Sequence, residues 1–323
     1  MYVGMASAYP KKNQQGMSGC NKEVFMSLTI NHNMMAMTAS RNLSNSYGSL
    51  ATSTNRLSSG LRINTAADDA AGLAIRELMR ADISTLNQGV RNANDAISMI
   101  QTADGALQVV DEKLIRMKEL AEQAATGTYT SDQRIIIDSE YQAMASEITR
   151  IASATDFNGI YLLNGNLSSA THVGSGLSST GKIKIHFGSG NNSAEDYYYV
   201  RIGNSTASAL GVGLAAATGR AGRSISTQQM AQEALTALND AIVSKDKIRA
   251  NLGALQNRLE NTISNLQIQA ENLQSAESQI SDVDVATEMT QFVREQILTQ
   301  SAVAMLTQAN SLPKMALSLI QGG

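Results

Sequence analysis

Three histidines, one cysteine and an adjacent aspartate pair are the side chains of this 323-residue chain best suited to bind a metal or move a proton. Such chemistry needs several of them gathered in one place. His32 falls in a predicted first helix, while His172 and His186 fall in or beside a strand-rich stretch. None opens a metal-binding helix pattern. Asp68 and Asp69 are neighbours in sequence, so on a helix they point to different sides; starting a helix suits them better than catalysis. The glycine clusters GSG and GVG lack the Lys-Thr pair and the strand–turn–helix frame of a phosphate loop. Met34, Met35 and Met37 read as packing residues. No Ser, Cys or Lys nucleophile has a base beside it, so the residues imply no enzyme, no metal and no cofactor.

What the chain does carry is periodicity. Leu43, Tyr47, Leu50, Thr54 and Leu57 recur at steps of four and three, and Met305, Ala309, Leu312, Ala316 and Leu319 repeat the rhythm at the far end. Each stripe is the seam of an amphipathic helix that needs a partner. Hydrophobic residues make up 43% of the chain, but aromatic ones only 4%, with no Trp. A core of Leu, Ile, Val, Met and Ala fits long helix–helix seams. Charged residues are sparse at 16% and the formal net charge is −3. No basic stripe is present for nucleic acid, and no apolar run is long enough to span a membrane. A single Cys20 excludes an intramolecular disulfide.

The elements follow from breaks in that rhythm. A first helix is predicted from Ser27 to about Ser58, closed by Gly60. After the connector LRINTAADDAAG, a long helix carries Ile75, Ile83, Val90, Ile97, Ile100, Leu107, Leu114 and Ala121 near one stripe. About 50 residues at ~1.5 Å each make a rod of roughly 75 Å. Gly127 breaks it, and Ser131 with Asp132 opens a helix bearing Ile137, Tyr141, Met144, Ile148 and Ile151. From about Asn164 to Arg223 the helical period disappears. There KIKIHF alternates and YYYVRI is rich in strand formers, which predicts a β-hairpin or small sheet. Thr227 caps the next helix, whose seam is Leu252, Leu255, Leu259, Thr262, Leu266, Gln269, Leu273, Ala276 and Ile280. A last helix runs from about Val285 to Ile320, and Pro313 is expected to kink or break it. The fold class is therefore mainly α: long antiparallel, coiled-coil-like rods with a small β-hairpin-rich insert. The terminal helices pair, which makes a hairpin-shaped molecule with both termini at one end.

Several of these segments resemble bacterial flagellin: LSSGLRINTAADDAAGLAI, TDFNGIYLL, NLGALQNRLENTISNL, SQISDVDVATEMTQFVREQIL and QANSLPKMALSLI, in that order. The resemblance runs from Met26 to the C-terminus and weakens in the insert. It implies a short-insert member with an inner-tube domain D0 from 27–60 and 283–323. A rod domain D1 would comprise 61–164 and 224–282, with a β-rich insert at 165–223. Leu43, Tyr47, Leu50, Leu57, Met305, Leu312 and Leu319 would then form the assembly seam. Leu252, Leu255, Leu259, Leu266, Leu273 and Ile280 would form the D1 core.

The resemblance further implies a secreted, extracellular helical homopolymer used for swimming. Its subunits would be exported unfolded by the flagellar type III apparatus, with terminal helices that order only on assembly. The implied partners are other copies, an export chaperone, and the hook–filament junction and cap proteins. A vertebrate innate immune receptor is also implied: in LIRMKELAEQ the residues Arg116, Glu119, Leu120 and Gln123 match the recognised motif, and Glu147 matches on the next helix. Met117 and Lys118 differ conservatively and Glu122 departs. Packing between subunits accounts for the same residues. Two rival readings are the hook–filament junction protein, with similar terminal helices, and a secreted adhesin whose Ser/Thr-rich insert binds while the helices form a stalk.

The first 25 residues have no continuous apolar core and do not read as a secretory signal. Lys22-Glu23-Val24 can be encoded AAG-GAG-GUN, a ribosome-binding sequence just upstream of the Met26 codon. Residues 1–26 are thus expected to be a mis-assigned leader. Its Lys11, Lys12, Lys22 and Glu23 sum to +2, so a Met26 start lowers the formal charge from −3 to −5 and removes the Cys. The intact mass of the native protein is expected to match a Met26 start; a mass that includes Met1 would overturn this expectation.

Overall fold

The computed structural model describes residues 32–169, 181–192, 195–213 and 224–322, without the side chains of residues 316 and 319–321. The leader and His172 lie outside what is described, as do the side chains of Ala316 and Leu319 of the predicted seam. The fold is mainly helical, with two small antiparallel strand pairs. Two compact units divide the chain: Met1–Gly60 with Val283–Gly323, and Leu61–Asp282.

The larger unit is built on α2 (Ala70–Ala125) and α4 (Gln228–Ser281), which run antiparallel along one another. Asp69, rather than lying in the first turn, is the N-cap of α2 and accepts from the Gly72 N–H at 2.9 Å. Asp68 closes the preceding turn by accepting from the backbone of Asn64 and Thr65. The predicted carboxylate pair is thus used up in capping. Helix α3 (Ser131–Ala154) starts at the expected Ser131, and the residue before it, Thr130, is its N-cap, forming a reciprocal capping box with Gln133. Thr227 caps α4 and accepts from the Met230 N–H.

Small and branched side chains fill the space between these rods. Leu107, Leu114, Met117, Ala121, Tyr141, Ala145, Ile148, Leu238 and Leu252 are all buried. Alanines at 93, 96, 103, 121 and 124 on α2 and at 231, 234 and 241 on α4 let the helices approach closely. Ile75 departs from its predicted stripe and stands 46% exposed. A straight helix drifts relative to a seven-residue repeat, so one end of a 56-residue stripe leaves the seam.

Two hairpins cap the unit's sides. β1 (Asp156–Phe157) and β2 (Ile160–Tyr161) are joined by Asn158-Gly159, both at positive φ, which is the geometry of the tightest hairpin turn. β3 (Ile183–His186) pairs with β4 (Tyr197–Val200) in the register Ile183↔Val200 to His186↔Tyr197. This second hairpin rests against α2 where Gly89 leaves room. A Cβ there would stand 2.0 Å from the Phe187 carbonyl oxygen. Asn92 Nδ2 donates to the His186 oxygen at 2.8 Å, and Arg258 from α4 lies 3.6 Å over the Tyr198 ring.

In the smaller unit, α1 (Met34–Ser59) and α5 (Val285–Gln321) are antiparallel partners. His32 is not in the helix, since Asn33 is its N-cap. Gly60 ends α1 at φ 73°, as expected of a left-handed cap. Helix α5 continues through Pro313 to Gln321 rather than breaking there.

Candidate assembly surface

The seam of the smaller unit can be read from which side chains are covered. On α1 these are Ala36, Ala39, Leu43, Ser46, Leu50, Ser53 and Leu57. On α5 they are Glu288, Phe292, Glu295, Thr299, Ala302, Leu306 and Ala309. Both series alternate steps of three and four, the spacing of a coiled-coil stripe. Leu43, Leu50, Leu57 and Leu312 are half-buried as seam residues should be. Tyr47 and Met305 are not in this seam; they stand 53% and 61% exposed. Arg56 reaches Glu288 at 3.7 Å across the pair.

This pairing is more polar than an ordinary helix hairpin. Ser53, Glu288, Glu295 and Thr299 are buried in it. Meanwhile Val285, Met289, Val293, Ile297, Val303, Met305, Met315 and Leu317 on α5 are exposed, as are Met34, Met35, Met37 and Tyr47 on α1. Val285, Met289, Val293 and Ile297 are spaced by four, which makes a continuous apolar stripe on the uncovered side. A helix that is apolar on several sides belongs inside a larger assembly.

The larger unit has a different character: its register is fixed by charge. Lys245 is only 1% exposed, and its Nζ meets Asp111 at 2.6 Å and Asp246 at 2.7 Å. One turn along α4, Arg249 grips both oxygens of Asp104 at 2.7 and 3.2 Å. The predicted core residues Leu252, Leu259 and Leu266 are buried, whereas Leu255, Leu273 and Ile280 are half-buried. At the end of this unit Leu61 bridges to Asp282, and Arg62 donates from its backbone to Ser281 and from its guanidinium to Ile280, both at 2.6 Å.

The residues matched to the immune-receptor motif lie on α2 and α3. Arg116 donates to Glu119 on its own helix and to Glu140 on α3, at 3.0 and 2.8 Å. All three are exposed. Glu147 instead pairs with Arg150 on α3, and the hydrogen bond from that guanidinium holds its carboxyl below the usual range. Leu120 is a correction to the expected contact set. It is 2% exposed and packs in the core, because its place on α2 faces α3 and α4. It supports the motif from beneath and presents no side chain to a partner.

Sequence reading missed Asn33, Ser53, Glu295 and Thr299, because a search for large apolar residues passes over the polar members of a mixed seam. It also missed the Asp111–Lys245 and Asp104–Arg249 pairs. The available signal was two aspartates seven apart on one predicted rod and two cations four apart on the other.

Among the described residues no group of three or more His, Cys, Asp or Glu side chains is placed to hold a metal, and no helix is long and apolar enough to cross a membrane. What the geometry defines is a long-helix protein whose terminal segments pair antiparallel and leave apolar flanks uncovered. Residues 30–168 match the bacterial flagellin N-terminal helical region, and residues 235–320 match the C-terminal helical region. The chain is 42% identical to the flagellar filament 33 kDa core protein of Treponema phagedenis over 294 residues, covering 91% of this chain and all of the relative. It is 40% identical to flagellin FlaB2 of Treponema pallidum and 41% identical to a flagellin of Halalkalibacterium halodurans, each with the same coverage. The chain belongs to the bacterial flagellin family, a family of structural proteins. A hook-associated flagellar protein from Vibrio parahaemolyticus shares the fold alone, at TM-score 0.50 and 15% identity, over 67% of this chain and all of that one.

The Asp104–Arg249 pair gives the larger unit an acid sensitivity whose sign is fixed. The Arg249 hydrogen bond holds the Asp104 carboxyl below its ordinary 3.8. Its stabilising contribution is therefore complete above the unfolded value and is lost as pH falls through the lower folded one. Wild type is expected to melt higher than Asp104→Asn near neutrality, and the two are expected to converge as the pH falls below the ordinary 3.8 of the carboxyl. Thermal melts followed by circular dichroism across that fall in pH check this; a constant gap between the two would rule the pair out as the source.

Proposed function

We propose that this chain is the subunit of a bacterial flagellar filament, polymerising through its paired terminal helices into an extracellular helical homopolymer used for swimming. The observation that carries the reading is the exposed apolar flank of α5, led by Val293 and Ile297 at 45% and 56% exposure. Completing the burial of each such side chain adds about 1 kcal/mol. Copies stacked side by side cover all of them at once, which makes polymerisation favourable where a single chain leaves the surface wet. The filament-core names of relatives 40% and 42% identical support this reading over a junction protein, since the shared fold alone does not separate the two.

Export through the flagellar type III apparatus, an export chaperone, and contacts with the junction and cap proteins belong to the same reading. The receptor proposal rests on Arg116, Glu119 and Glu147, with Leu120 beneath. In the unassembled chain Arg116 and Glu119 are open to solvent, and a vertebrate innate immune receptor would meet them there.

Seeded with short filament fragments in a precipitating salt, the full chain is expected to form long filaments visible by negative-stain electron microscopy. A chain ending at Asp284 and the variant Ile297→Asp are expected to form none. Folded wild-type protein that does not polymerise would refute the filament role. For the receptor, Arg116→Ala is expected to weaken activation of a cell reporter roughly tenfold, the size of one good interface contact. An unchanged response would remove Arg116 from the contact set.

A further inference from the structure

Pro313 lies inside α5 and has no N–H to give the carbonyl four residues earlier, that of Ala309. Ala309 is 6% exposed, so solvent is poorly placed to take over that acceptor. Asn33 takes it instead: its Nδ2 donates to the Ala309 oxygen at 2.8 Å. The other end of the same amide, Oδ1, accepts from the Ala36 N–H at 3.0 Å and so caps α1. One side chain thus satisfies an orphan donor at the start of one helix and an orphan acceptor in the middle of another. The two bonds also fix which end of the amide is oxygen and which is nitrogen.

We propose that Asn33 and Pro313 form a register key that selects one alignment of α1 on α5. The leucines of the seam are a poor ruler. Leu43, Leu50 and Leu57 recur every seven residues and by themselves mark no single height, and Arg56 meets Glu288 only at 3.7 Å. An unbroken helix would offer α1 no free carbonyl. Pro313 frees one, at a single height on α5, and Asn33 is placed to read it. Asn33 is then a specificity-determining residue for assembly, because the register decides which apolar side chains the pair turns outward. This inference rests on the reading of α1 and α5 as the assembling element.

Aspartate at position 33 separates the two tasks of the amide. It keeps the cap, which a carboxylate at a helix N-terminus serves well, but it has no N–H and sets an oxygen against the Ala309 oxygen. Alanine at 313 supplies the missing N–H and removes the free acceptor. The test is a double-mutant cycle on the full chain with Asn33→Asp, Pro313→Ala and both, reading the critical concentration for seeded polymerisation. Asn33→Asp alone is expected to raise it roughly tenfold, as a buried acceptor left unpaired would. In the Pro313→Ala background the same change is expected to raise it less than about threefold. An equal effect in both backgrounds, or no effect in either, would overturn the key and leave Asn33 as a cap only. A wild-type chain that fails to polymerise speaks against the filament role. The key is then read in the soluble chain, as coupling between the same substitutions in hydrogen-exchange protection of α1 and α5, and additive effects there overturn it.

Discussion

The antiparallel pairing of segments far apart in sequence is the constraint on which the molecule depends. Asp111 and Lys245 are 134 positions apart, and the buried Lys245 ammonium is held by Asp111 across the pair and by Asp246 on its own helix. A buried ammonium that loses one of its carboxylates is left poorly compensated. Sliding α4 by one turn along α2 leaves that ammonium with the exposed Asp246 alone and breaks the two-point grip of Arg249 on Asp104. The alanine-rich interface beneath supplies close packing without a strong preference among neighbouring registers. Packing holds the rods together, and the buried charges decide how they align. The second hairpin rests on this alignment too, since Gly89 and Asn92 of α2 and Arg258 of α4 must arrive together under Phe187, His186 and Tyr198.

The smaller unit solves the same alignment problem with a mixed seam. Leu43, Leu50, Leu57, Phe292, Leu306 and Leu312 lie half-buried in it, interleaved with Ser53, Thr299, Glu288 and Glu295. Such a seam gains less from burial than an all-leucine one and relies also on directed contacts, among them Arg56 with Glu288 and Asn33 with Ala309. Further apolar side chains, Val285, Met289, Val293 and Ile297 among them, face the other way. One unit is consolidated by its own core, and the other is left with its largest hydrophobic gain unrealised.

How much of this could be read beforehand depends on whether the deciding interaction lies within the chain. The strands of the larger hairpin were legible because KIKIHF alternates apolar and polar side chains, with Ile183 and Ile185 packed on the core, and alternation limits strand register. Thr227 and Gly60 were legible as caps, since local backbone geometry demands those residue types. The Asn158-Gly159 turn carried an equally local signal in NG and was overlooked. The terminal seam was harder. Tyr47 and Met305 fit a four–three rhythm as well as the covered residues do, because α1 and α5 carry two rhythms: a mixed polar one facing each other and an apolar one facing out. Periodicity finds a stripe but does not say what covers it. Pro313 misled for a related reason: its local effect is to remove a bond, and whether that ends the helix depends on whether a distant group such as Asn33 can take up the freed carbonyl.

The mixed seam of the smaller unit also bears on when assembly occurs. If α5 carried Val293 and Ile297 inward in place of Glu288 and Glu295, the pair would gain more by itself and less from neighbours. Fixing a residue's backbone costs about 1–2 kcal/mol, and a seam in which serine, threonine and glutamate interrupt the leucines returns only part of that for two helices of 26 and 37 residues. The balance must come from the outward side chains, and these are buried only when other copies are present. Ordering of the terminal helices and attachment of neighbours therefore become one event on the proposed reading, driven by the same apolar surface. A subunit built this way resists premature pairing while alone and is held firmly once surrounded. Both properties trace to the polar residues that interrupt the leucines of the seam and to the valines, methionines and isoleucine left outside it.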